Sequence, residues 1–185
     1  MIGQEMLSDD ILLNIFRLYL DDAPRFWPIL THICRKWRQV ILSSPLGLQL
    51  RLYSTHGTPV SKNLDSWPPL PLVIEYGGSL SLNPPVPEDE DNIIAALKRS
   101  GCINSISLTL TDSLLRKLST ISGQFSEVEE LVLLSHDNPQ LTLPSAFQGG
   151  ERVRTLHLLG LPFPHSCIFF LLPRISSIFS FTKFL

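Results

Sequence analysis

The 185-residue chain is poor in charge: 17% of its residues are Asp, Glu, Lys or Arg, where soluble domains average roughly 25%. The net charge of −2 leaves no excess of basic residues, which argues against nucleic acid as a partner. Cysteine is scarce too. Cys34, Cys102 and Cys167 are odd in number and far apart, so they form neither a disulfide framework nor a zinc knuckle. That usage fits a reducing compartment, and the expected location is cytoplasmic or nuclear. Long hydrophobic runs are missing as well. The run Cys167 to Leu172 stops at Pro173, well short of the ~20 apolar residues of a membrane span. The opening MIGQEMLSDD is acidic and polar, unlike a secretory signal, so no membrane partner is expected. No GxxxxGK or GxGxxG phosphate loop occurs.

What the chain has in abundance is leucine, at 34 of 185 positions, enough to build a sizeable core. Residues 7 to 20, LSDDILLNIFRLYL, place Ile11, Leu12, Ile15, Phe16 and Tyr19 at helical spacing. Ser8 is a good N-cap, Asp9 and Asp10 suit the positive end of the helix dipole, and Leu7 is placed to staple onto Leu12. From Arg25 to Ser43 the pattern is again helical, with a bend expected near Ile33 or Cys34 and an end at Ser43-Ser44-Pro45.

From residue 51 to 87 the character changes. Eight of the fifteen prolines lie between Pro45 and Pro87, and the stretch reads as a linker carrying one strand, LPLVIEY (70–76). A helix opens at Glu88 to Asp91 and runs through Leu97; the acidic run is read as charge at a helix start.

The segment 88–185 is periodic. INSISLTL (103–110), VEELVLLS (128–135) and VRTLHLLG (153–160) align their large apolar residues at offsets of 25 residues. Each matches LxxLxL, within the 20–29-residue range of leucine-rich repeats, and a helix from Asp112 to Ile121 fits between the first two. Residues 163–185 break the pattern, with six of the ten phenylalanines and no acidic residue. They make a poor polar cap, so the expectation is an array cut short here or a tail that is not original coding sequence.

The strings Leu7-Ser8-Asp9-Asp10-Ile11-Leu12, Ile15-Phe16, Ile33-Cys34-Arg35-Lys36-Trp37-Arg38 and Ser43-Ser44-Pro45-Leu46 together resemble the F-box. That family's pattern runs LPxE(I/L)LxxIF, VCRxWR, then a serine-proline turn before a tryptophan. The resemblance covers about residues 5 to 50, and the whole chain looks like fungal F-box proteins with leucine-rich tails. Ser8 replaces the family's proline, and Leu46-Gly47-Leu48 stands where its final tryptophan belongs. The resemblance implies a non-enzymatic substrate adaptor of an SCF-type cullin–RING ubiquitin ligase. Such a protein binds a Skp-type adaptor through its N-terminal helices and a protein substrate through its repeats. The expected fold is a three-helix F-box-like module (5–50), a Pro-rich linker (51–87) and a short, truncated leucine-rich-repeat-like αβ solenoid (88–185).

A module of about 45 residues cannot bury all its apolar side chains, and the surplus marks a partner surface. Leu7, Ile11, Leu12, Ile15, Phe16, Leu30 and Ile33 are assigned to core or adaptor surface, and Trp37 to core. On the repeat strands the residues between the leucines face outward: Ser107, Thr109, Glu130, Val132, Thr155 and His157, a candidate substrate face or a solvated one. The alternative function is an interaction scaffold or degenerate F-box fragment without ligase association. A helix-turn-helix reading of Arg35, Lys36 and Arg38 conflicts with the nearby Asp9, Asp10, Asp21 and Asp22. His32 and Cys34 lack a second ligand pair, His157 lacks a nucleophile, and His136-Asp137 and the glycine pairs 77–78 and 149–150 are turn residues. No active site, metal or cofactor is expected.

Overall fold

A computed structural model describes residues 7–56, 69–76, 85–121, 125–135, 147 and 152–161. The Phe-rich tail, His136-Asp137 and both glycine pairs lie outside the described residues. The chain divides into two compact units, residues 1–52 and 53–185.

The first unit is helical. Helix α1 (Asp9–Asp22) starts where expected: the Ser8 side chain accepts from the Ile11 backbone N–H at 3.4 Å, and Asp9 and Asp10 fill the first turn. After a short 3₁₀ turn, α2 (Trp27–Ile33) and α3 (Arg35–Ser43) are separated by the single extended residue Cys34. This is the anticipated bend. Leu12, Phe16 and Leu20 of α1 are buried with Trp27, Leu30, Val40 and Ile41. The Trp27 indole N–H donates to the Arg51 carbonyl at 2.7 Å, satisfying its polar edge inside the core. Trp37, expected in the core, is half-buried and meets Phe16 edge to face at 4.9 Å. In the stretch after Pro45, Leu48 is buried while Leu46 is 87% exposed.

The second unit is a mixed α/β arrangement around a five-stranded sheet ordered β1 (Leu52–Ser54), β2 (Leu72–Tyr76), β3 (Ile103–Leu110), β4 (Glu130–Ser135) and β5 (Thr155–Leu159). Strands β2 to β5 run parallel. The 25-residue period becomes the pairing register: Ile106 pairs with Leu131 and Leu131 with Leu156, while Leu108 pairs with Leu133 and Leu133 with Leu158. These leucines and isoleucines are buried on one sheet face, each contributing about 1.5–3 kcal/mol. Helix α4 (Pro87–Leu97) packs on β2 and on α5 (Asp112–Leu118), burying Ile93, Ala96, Leu97, Leu114 and Leu118. The latter helix is three residues shorter than expected.

The expected linker behaves differently. Its strand is a member of the sheet, with Ile74 beside Ile106 and Tyr76 beside Leu108, and β1 extends the sheet further. The prolines flank these strands and leave the ladder intact.

Gly160 follows β5 at φ +70°, and a Cβ there would sit 2.0 Å from the Ser135 carbonyl oxygen. Only glycine accepts both the left-handed conformation and that close approach.

Candidate functional site

In the first unit, α1 carries two apolar stripes. Leu12, Phe16 and Leu20 form the buried one. Ile11, Ile15 and Leu18 form a second, exposed by 48%, 43% and 72%. At roughly 100° per residue the two stripes are centred about 130° apart, so the exposed stripe is a separate face and not the rim of the core. Leu7, just before the helix, and Tyr19, between the two stripes, are exposed too, as are Phe26, Ile29 and Ile33 on the following helical stretch. The sequence-assigned residues therefore divide. Leu7, Ile11, Ile15 and Ile33 lie at the surface; Leu12, Phe16 and Leu30 are core and unavailable to a partner. One sequence cannot make that division, because both stripes share the same helical period.

Polar contacts link the segments of this module. Lys36 donates to the Leu7 carbonyl and pairs with Asp9 at 3.4 Å; Arg17 reaches the Gly47 carbonyl; Arg38 donates to the Thr31 carbonyl at 3.0 Å. Lys36 and Arg38, two of the three cations of the helix-turn-helix reading, are thus engaged within the chain. Cys34 and His32 are exposed.

On the sheet, the face opposite the leucines presents two rows across β2 to β5. Val73, Ser105, Glu130 and Thr155 form one; Glu75, Ser107, Val132 and His157 form the next. Ser107, Val132, Thr155 and His157 are half-buried and Glu130 is exposed, held by a 3.1 Å hydrogen bond from the Ser105 hydroxyl. Thr109 departs from its expected role. It is only 2% exposed, its hydroxyl has no partner among the described residues, and the neighbouring Leu134 is buried beside it.

A third constellation escaped the sequence reading. Four polar residues, from β1 and the turn after it, from β2 and from α4, meet at the strand ends. The Ser54 and Tyr76 hydroxyls share a 3.0 Å hydrogen bond, and His56 Nδ1 lies 2.7 Å from Asp89 Oδ2, its ring edge-on to Tyr76. Burial, assisted by the Asp89 charge and opposed by the Ser54 hydrogen bond, pushes the Tyr76 phenol above its usual value. The phenol is therefore neutral at pH 7. Beside them Glu90 accepts from Thr111 and Ser113 at 2.8 Å each, with Lys117 at 3.2 Å. Burial alone would raise the Glu90 pKa, but these donors together lower it. Asp89 and Glu90 are thus buried and partnered, whereas Glu88 and Asp91 of the same acidic run face solvent. The groups of this cluster satisfy one another, which makes it a clasp between strand ends and helix starts. Among the described residues no three potential ligands converge on a metal position, and no helix is long and apolar enough to cross a membrane.

Comparison of the chain with protein-family models, curated proteins and solved structures finds no match.

Proposed function

We propose that this chain is a substrate-recognition adaptor of an SCF-type cullin–RING ubiquitin ligase, with an F-box-like helical module and a leucine-rich-repeat-like sheet. The observation that carries this reading is the second apolar stripe of α1. It leaves Ile11, Ile15 and Leu18 in water on helices whose sequence resembles the F-box. Exposed apolar area of this kind is unfavourable unless a partner covers it. Leu7, Ile11, Ile15 and Ile33 would bury against a Skp-type adaptor, while Leu12, Phe16 and Leu30 hold the helices in place behind them.

The sheet would then hold a protein substrate on Ser107, Glu130, Val132, Thr155 and His157. No covalent step falls to this chain. Holding the substrate beside the ubiquitin-loaded enzyme raises its effective concentration there.

Co-expression of the full chain with a Skp-type adaptor, followed by size-exclusion chromatography, tests the reading. Co-elution at one-to-one supports it. A folded chain that elutes alone contradicts it and favours a scaffold without ligase association.

A further inference from the structure

Resting on the reading of the helices as an adaptor-binding module, we propose that Leu46 is a second anchor for the partner that covers the α1 stripe, and that Arg17 is its positioning residue. Leu46 and Leu18 are the two most exposed large apolar side chains among the described residues. Leu46 stands in the turn that follows α3, and that turn is tightly closed. The Leu48 N–H donates to the Ser44 carbonyl at 3.1 Å, the Gln49 N–H to the Leu46 carbonyl at 3.1 Å and the Leu50 N–H to the Pro45 carbonyl at 2.9 Å. Leu48 and Leu50 are buried. The turn therefore buries two of its leucines and holds the third in water.

Two features show that this presentation is imposed. Gln49 lies at φ +49°, the single non-glycine residue at positive φ among the described residues. Such a conformation persists where the surrounding structure over-determines it. Second, Arg17 Nε donates to the Gly47 carbonyl at 3.3 Å while its Nη1 donates to Asn14 Oδ1 at 3.4 Å. One guanidinium thereby ties the turn to α1. Leu18 follows Arg17 and Leu46 precedes Gly47, so each of the two exposed leucines is one residue from the same tether. The turn is thus continuous with the stripe of Ile11, Ile15 and Leu18, and a partner covering the stripe meets Leu46 as well. An anchor held in place before binding loses little freedom when the partner arrives.

Calorimetric titration of a Skp-type adaptor into the full chain and its variants tests this. Leu46→Ala should weaken binding roughly tenfold or more while leaving the helical signal and thermal midpoint unchanged, because the side chain it shortens is in water. Arg17→Met keeps the apolar stem, removes both hydrogen bonds and should also weaken binding. In the Leu46→Ala background, Arg17→Met should add less than about a twofold loss, because positioning has nothing left to position. Val86→Asp is the control: Val86 is exposed in the other unit, aspartate suits its place as the N-cap of α4, and the change should be less than about twofold. Unchanged binding by Leu46→Ala, an equal loss from Arg17→Met in both backgrounds, or an equal loss from Val86→Asp overturns the proposal. No binding by the unaltered chain sinks the ligase reading and this inference with it. Binding by the unaltered chain that ignores Leu46 sinks this inference alone.

Discussion

The Thr111 side chain caps helix α5, accepting from the Leu114 backbone N–H at 3.0 Å, and donates to Glu90 at 2.8 Å. One hydroxyl thereby ties the end of β3 to the first turns of α4 and α5. Ser113 and Lys117 complete the shell around a carboxylate that is 5% exposed. Hydrogen bonds to a buried charge are among the stronger ones a fold makes, at about 1.5–3 kcal/mol.

Glu90 therefore makes stability depend on acid. Its pKa in the folded chain lies below the unfolded value, so its contribution is fully present above the unfolded value. The contribution shrinks as pH falls below about 4.3, the ordinary glutamate value, and is gone below the depressed folded value. Glu90→Gln should lower stability at pH 7 by about 2 kcal/mol and flatten this acid limb. Urea denaturation from pH 7 to pH 3 measures both effects. An unchanged acid limb would show that Glu90 is not its source.

Much of this architecture was legible in the sequence, for reasons that differ by element. The 25-residue spacing of Ile106, Leu131 and Leu156 fixes the register of three parallel strands, because each repeat presents the same residue at the same height. Ser8 and the Cys34 break were readable from local chemistry. The membership of β2 in the sheet was not. Ile74 is 32 residues before its partner Ile106, outside the period, and prolines surround the strand. The clasp of Ser54, His56, Tyr76 and Asp89 was equally hidden, since its members are common residues that only the crossovers bring together. The residues between the leucines share one face of the sheet, but Thr109 among them is buried, which alternation alone does not reveal.

The Ser54–Tyr76 pair should behave as a unit. Tyr76→Phe leaves the fully buried Ser54 hydroxyl without this partner and should cost about 1–3 kcal/mol. Adding Ser54→Ala should then cost little more, because the orphaned group is gone. Chemical denaturation of both single variants and the double variant checks this coupling. Strict additivity would contradict it.

Gly160 should resist substitution. Gly160→Ala forces a side chain into φ +70° and against the Ser135 carbonyl, so a loss on the order of 2 kcal/mol or more is expected. Thermal unfolding reads it directly, and an unchanged midpoint would show that the β4–β5 edge has another conformation.

The two stripes of α1 predict opposite outcomes from neighbouring residues. Phe16→Ala opens the core and should cost about 3–5 kcal/mol. Ile15→Asp, at a position 43% exposed, should change stability by less than about 1 kcal/mol. Circular dichroism melts of both variants decide the assignment. A large loss for Ile15→Asp would place that residue in the core.

The most direct test of the central claim is titration of a Skp-type adaptor into the full chain and into Ile11→Asp/Ile15→Asp, followed by calorimetry. One-to-one binding by the unaltered chain, lost in a variant that keeps its helical signal, is the predicted result. No binding by the unaltered chain, or equal binding by the folded variant, would contradict the account.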